Sequence, residues 1–184
     1  MAVTLKMIED AIGSLFEDCP IEVEDEYVGF GIDAGNDCFI EVLIILRDIE
    51  EPLGETYPNQ CIHVLMWFTG KEQRFDFSVC GFQSLLELCH HLQEEVVWGT
   101  LVACRAAEEE KLYVYLCRAV EVDEQDLCAM FTGYARSAFI LVLNNLMREY
   151  CMLAPTMAAI SSGAITSPDH IETMMLVPSI MSTH

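Results

Sequence analysis

Residues 96–120 read VVWGTLVACRAAEEEKLYVYLCRAV, and this stretch decides the fold. Gly99 is typical of a helix end, and the runs TLVACR and LYVYLCRAV predict two strands. The charged segment AAEEEK between them predicts an exposed turn. A hairpin that lies between two helices indicates an antiparallel sheet carrying helices on its faces.

Helical patterns flank the hairpin on both sides. In FQSLLELCHHLQEEVVWG, residues 82–99, one apolar face is formed by Phe82, Leu85, Leu86, Cys89, Leu92 and Val96. After the hairpin, Asp123 or Glu124 begins a second helical pattern that runs to Tyr150, roughly 40 Å at 1.5 Å per residue. Between Ala138 and Leu143 this pattern is apolar almost all round, which predicts burial on more than one side.

The N-terminal half combines one helix with several strands. Apolar residues at helical spacing predict a helix between Val3 and Phe16. Turn residues at 35–38 and a loop rich in proline and glycine at 50–60 separate the strands. The predicted strands are 21–32, 38–49, 61–70 and 74–81. The element order is therefore α-β-β-β(β)-α-β-β-α, and the predicted fold class is α+β with an antiparallel sheet.

The length and composition predict one domain and a tail. A chain of 184 residues suits one core, which we place at 1–150. Residues 151–184 hold five of the ten methionines, no Lys or Arg, and many Ser and Thr. We expect this segment to be a C-terminal tail that is either flexible or docked on the domain.

Charge and cysteine usage restrict the partners and the compartment. Thirty acidic and nine basic residues give a net charge of −21, which disfavours nucleic acid and anionic membranes as partners. The nine cysteines form no CxxC pair, so we expect reduced thiols rather than a disulfide framework. Met1–Asp10 lacks the features of an export signal, and no apolar run reaches the ~20 residues of a membrane span. The expected location is the cytoplasm.

No catalytic, cofactor or metal site is predicted. The glycines of GFGIDAG, 29–35, lead into a strand, which indicates a hairpin and not a phosphate-binding loop. Cys89, His90 and His91 are adjacent on a helix and cannot all face one ion, even if His63 arrived from a strand. Paired acidic residues are too common to mark a general acid and base. A catalytic cysteine stays open as an alternative.

The apolar side chains exceed what one small domain needs in its core. Phe139–Leu143 is a run of five apolar residues, and the sheet adds Trp67, Phe68, Phe75 and Phe77. We expect some of them to cover a subunit interface or a binding groove. A generous core is the alternative.

The pattern from Phe82 to Leu146 resembles the type III secretion chaperone-like fold. This fold includes class I chaperones of the Tir-chaperone type and YbjN-like proteins, and the resemblance in element order covers about residues 3–150. It implies a small acidic homodimer without enzymatic activity and without cofactors. By this resemblance the partner is a secreted effector or another protein, whose extended segment is held in apolar grooves.

The resemblance also implies site residues. The partner-binding groove would contain Ile12, Leu15, Phe30, Val42 and Ile44. The dimer interface would contain Leu85, Leu86, Cys89, Leu92 and Tyr115. The tail departs from the small chaperones, and IETMMLVPSIM at 171–181 is interpreted as a built-in pseudo-ligand of the groove. Two alternatives remain, namely a YbjN-like regulatory or adaptor protein that binds a folded partner, and a thiol or Cys/His-metal enzyme.

Overall fold

The computed structural model describes residues 3–16, 18–35, 39–48, 60–69, 75–106, 111–122 and 136–171. Within these ranges the strands are β1 (Ile21–Val23), β2 (Tyr27–Asp33), β3 (Phe39–Asp48), β4 (Gln60–Trp67), β5 (Thr100–Arg105) and β6 (Leu112–Val122). They form one antiparallel sheet in the order β1-β2-β3-β4-β6-β5. The helices are α1 (Leu5–Gly13), α2 (Phe82–Gln93) and α3 (Arg136–Ser161). The α+β class and, approximately, the predicted element order are confirmed.

One face of the sheet packs into the core. In β3, Ile40, Val42 and Ile44 are fully buried, and the register places Ile44 between Val28 of β2 and Val64 of β4. Because side chains alternate along a strand, the β-branched residues of three neighbouring strands meet on this face. This face forms one side of the core.

The three helices supply the other half of the core. Thr4 caps α1 by accepting the backbone N–H of Met7 at 3.3 Å, and Ile8 and Ile12 of α1 are buried. In α2 and α3 the buried side chains recur at spacings of three, four and seven, as one helix face requires. They are Leu85, Leu88, Cys89 and Leu92 in α2, and Phe139, Leu143, Leu146 and Tyr150 in α3.

Two expected boundaries around α2 are wrong. Residues 74–81 were expected to form a strand, but Phe77–Val79 is a 3-10 helix. The Asp76 carboxylate accepts the Ser78 N–H at 2.9 Å and turns the chain there. At the other end, α2 finishes at Gln93 and not at Gly99. Gly99 instead lets the chain approach α3, because a β-carbon there would lie 2.7 Å from Leu116 Cδ1 and 3.0 Å from Leu146 Cδ2.

Helix α3 continues beyond Tyr150, where the sequence pattern was expected to end it. Leu153, Met157 and Ile160 are buried, and their packing offsets the cost of Pro155 inside the helix, which is about 3 kcal/mol. Gly163 ends the helix with a φ of 76° and donates its N–H to Ile160 O. Among the described helices, none is long and apolar enough to cross a membrane.

Several sequence predictions lie outside the described residues. They are the start of the long helix at 123–135, the loop up to residue 59, and most of the pseudo-ligand at 171–181. Within that last segment, Ile171 is described and is buried. Burial on more than one side of 138–143 is wrong for the described part, because Leu141 is exposed while Phe139 and Leu143 are buried.

Candidate functional site

The second face of the sheet is apolar and, within the described part of the chain, carries no helix. We call it the open face and define it by the outward residues of five strands. They are Gly29 and Gly31 of β2, Phe39, Glu41, Leu43 and Ile45 of β3, His63, Leu65 and Trp67 of β4, Val102 and Cys104 of β5, and Tyr113, Tyr115 and Cys117 of β6. Most of them are half-buried or exposed, whereas most of the inward residues that alternate with them are buried.

Apolar residues lie side by side across the open face. Leu43 pairs with Leu65, and Leu65 pairs with Cys117, so one row crosses β3, β4 and β6. The next row places Trp67 opposite Tyr115, with ring centroids 4.7 Å apart. Cross-strand pairs of this kind stabilise the sheet and leave a continuous apolar surface.

A cavity of about 260 Å³ lies at the β1–β3 end of this surface. Gly29 and Gly31 are part of its lining, and the Phe39 ring and the Leu43 side chain lie over these two glycines. Phe39 and Leu43 form apolar walls, and Phe39 is 38% exposed. The volume is below the ~300–1,000 Å³ of drug-sized ligand sites, which suits one side chain better than a whole cofactor.

Carboxylates also line this cavity. Glu22 of β1 and Glu41 of β3 are both part of its lining, on opposite sides of the glycines of β2. Glu22 is exposed and Glu41 is half-buried. The cavity therefore combines apolar walls with negative charge.

Thiols on the open face are held in the neutral form. Burial raises the pKa of Cys104 and Cys117, and in Cys117 the nearby Cys61 adds to the effect. Burial also raises the pKa of Tyr115, with contributions from Cys104 and Cys117. Because the thiolate is the nucleophile, these thiols are poor candidates for catalysis near neutral pH.

Four of the five expected groove residues belong to the core. Ile12, Val42 and Ile44 are fully buried and Phe30 is almost fully buried, so a partner could reach them only if the core opened. Leu15 is half-buried. Phe30, Val42 and Ile44 belong to the inward set of alternating residues in β2 and β3. Alternation is the signal that would have selected the outward neighbours.

The expected dimer residues do not form one patch. Leu85, Cys89 and Leu92 of α2 are buried among core residues, whereas Leu86 of α2 and Tyr115 of β6 are half-buried. The register places Tyr115 on the open face, while α2 packs on the opposite face. Leu86 and Tyr115 therefore face different sides of the sheet.

The described residues provide no metal site. His63 lies on the open face, while Cys89 faces the core from α2 on the other side of the sheet. Burial, with a small contribution from Cys80, raises the pKa of Cys89 to about 12. Within the ranges that the structure describes, no three His, Cys, Asp or Glu side chains could share a metal ion.

We found no match to this chain among protein-family models, curated proteins or solved structures.

Proposed function

We propose that this protein is a non-enzymatic binding module that holds an extended segment of a partner protein on the open face of its sheet. The observation that carries the proposal is the continuous apolar surface across β3, β4 and β6. Apolar side chains that no described helix covers on one side of a sheet are typical of sites that another protein covers.

The chemistry of the face favours binding over catalysis. Its thiols Cys104 and Cys117 have raised pKa values, which keep them in the unreactive form. The half-buried aromatic residues Trp67, Tyr113 and Tyr115 are the residue types that supply most of the energy in protein interfaces.

An extended segment fits the edge of the sheet. β1 (Ile21–Val23) is an edge strand of the sheet among the described residues, and an added strand would pair along it. A segment paired there would place alternate side chains over the cavity beside β1 and β2. Binding of an extended partner segment in this way is what the resemblance to class I secretion chaperones implies. Our most specific proposal is therefore that the protein is a class I-like secretion chaperone.

Co-purification with matched variants tests this function. Tagged wild-type protein, Ile45→Asp and Met152→Asp are each recovered from the native cells, and the retained proteins are identified by mass spectrometry. Ile45 is on the open face, whereas Met152 is 68% exposed on α3, so the two variants add the same charge on different surfaces. Circular dichroism confirms that each variant is folded.

We expect one partner protein that wild type and Met152→Asp retain and that Ile45→Asp loses. Retention of that partner by a folded Ile45→Asp variant would contradict the proposal. A partner that stays folded when it is bound would instead favour the adaptor alternative. Limited proteolysis of the bound partner distinguishes a folded partner, which resists cleavage, from an extended one, which is cleaved.

A further inference from the structure

We infer that the cavity at the β1–β3 end of the open face accepts an arginine or lysine side chain of the partner segment. This inference rests on the proposed function, because it concerns the chemistry of the segment that the open face holds. The site is the cavity lined by Glu22, Gly29, Gly31, Phe39, Glu41 and Leu43.

The shape of the cavity suits a long side chain with an apolar stem. Both glycines face the cavity, and a β-carbon at Gly29 would lie 3.1 Å from Leu43 Cδ2. A larger residue at Gly29 would meet Leu43, and one at Gly31 would meet the Phe39 ring, so either substitution would change the walls of the cavity. Arginine and lysine bury their methylene groups against apolar walls while keeping the charged group at a polar position.

The charges of the cavity select a cationic guest. Glu22 is paired with Gly29 and Glu41 with Gly31, so the two carboxylates flank β2 diagonally, and a cation in the cavity would have one of them on each side. The exposed ring of Phe39 adds a surface on which a guanidinium can stack.

The net negative charge of the whole chain also favours a basic partner segment. A net charge of −21 attracts basic segments over distances of about a Debye length, roughly 8 Å at physiological ionic strength. We therefore assign the cavity to a partner segment in which an apolar side chain and a basic one alternate on the same side.

A peptide titration tests the assignment. The probe is the fluorescein-labelled peptide Thr-Val-Thr-Arg-Thr-Val-Thr-Arg-Thr, which as a strand presents Val and Arg on one side. The comparison peptide carries citrulline in place of arginine and so keeps the shape without the charge. Fluorescence anisotropy gives the affinity for wild-type protein, Glu22→Gln, Glu41→Gln and the control Glu24→Gln.

Glu24 is exposed outside the cavity lining, so its substitution removes the same charge without touching the site. We expect Glu22→Gln and Glu41→Gln each to weaken binding about tenfold, and Glu24→Gln by less than about twofold. The citrulline peptide should bind wild-type protein at least about tenfold more weakly.

Equal effects of Glu41→Gln and Glu24→Gln would overturn the inference, because binding would then follow net charge alone. Equal affinity for the two peptides, or no binding of the arginine peptide, would also overturn it. The same glutamine variants in the co-purification separate the two proposals. A partner that is lost by Ile45→Asp but kept by Glu22→Gln and Glu41→Gln would leave the proposed function standing and remove the cavity assignment.

Discussion

The ring of Phe39 on β3 lies over the α-carbon of Gly31 on β2, in the space where any other residue would place its β-carbon. The two strands are paired so that Asp33, not Gly31, is directly opposite Phe39, and the ring reaches back diagonally across the sheet. An aromatic ring over a strand glycine protects a backbone segment that would otherwise be exposed. Here it also forms one wall of the cavity.

Replacing Gly31 by alanine should therefore impair binding more than folding. The added methyl group forces the Phe39 ring outward, which is possible because that ring is already partly exposed. We expect a stability change of less than about 1 kcal/mol, measured by urea unfolding. Affinity for the arginine peptide should fall, because the wall is displaced, and an unchanged affinity would show that Phe39 does not contact the guest.

Replacing Gly99 by alanine should instead impair folding more than binding. A β-carbon there would overlap Leu116 and approach Leu146, both of which are buried and cannot move into solvent. We expect Gly99→Ala to destabilise the protein by about 1–3 kcal/mol in urea unfolding. Affinity for the arginine peptide should not change under conditions in which the variant is folded. A stability equal to that of wild type would mean that the chain at Gly99 can shift away from α3.

Glu149 of α3 should be essential for the position of the segment between α2 and β5. Its Oε1 accepts the backbone N–H groups of Val97 at 2.7 Å and Trp98 at 2.6 Å. Glu149→Ala should lower the free energy of unfolding by about 2–4 kcal/mol, because two donors lose a charged acceptor.

Glu149→Gln is the matched control for that prediction. It retains one oxygen acceptor without the charge, so we expect a smaller loss, about 1 kcal/mol or less. Urea unfolding of both variants measures the difference. If Glu149→Ala and Glu149→Gln lower the free energy of unfolding equally, the charge of Glu149 and not its two hydrogen bonds would be the stabilising factor.

The buried thiols predict loss of stability at alkaline pH. The pKa of Cys89 in the folded protein is about 12, above its ordinary value of 9.0, so the folded state favours the neutral thiol. This contribution is complete below pH 9 and is lost as the pH rises from 9 towards 12. Thermal unfolding of wild type and Cys89→Ala across this range measures it, and we expect the stability of wild type to decline more steeply. Parallel curves for the two proteins would contradict the prediction.

A homodimer remains a prediction, and Leu86 offers the sharpest test of it. Leu86 is the half-buried member of the interface residues expected on α2, whereas its neighbours Leu85, Cys89 and Leu92 are core residues. Light scattering at micromolar concentration should give a dimer for wild type and a monomer for Leu86→Glu. A wild-type monomer would contradict the dimer, and a Leu86→Glu dimer would exclude α2 from the interface.

The fold was predictable because local patterns and long-range pairing agree. Alternating apolar residues predict strands β5 and β6, and one apolar face predicts helix α2. These elements occur in the structure and pack together. The 3-10 helix at Phe77–Val79 was not predictable from alternation, because Phe75 and Phe77 have the spacing of a strand. A hydrogen bond from Asp76 N to Ser161 Oγ, 85 residues away along the chain, holds this segment.

The site was predictable only in part, for a physical reason. Val42 and Leu43 are equally apolar, and the sequence does not state which of them the helices cover. The register decides, since it places Val42 opposite Phe30 and Met66 in the core and Leu43 opposite Leu65 on the open face. A strand that is apolar on both sides marks a sheet with two covered faces, and only one of these is covered by the described helices.

The most direct test of the open face is hydroxyl-radical footprinting of the protein alone and with its co-purified partner. Radical oxidation modifies aromatic and sulfur-containing side chains, and both surfaces carry such residues. Partner binding should protect Trp67, Tyr113 and Tyr115 on the open face and leave unchanged both Trp98, in the segment between α2 and β5, and Met152, on α3. Protection of Trp98 and Met152 with unchanged oxidation of Tyr113 and Tyr115 would contradict the proposed binding surface.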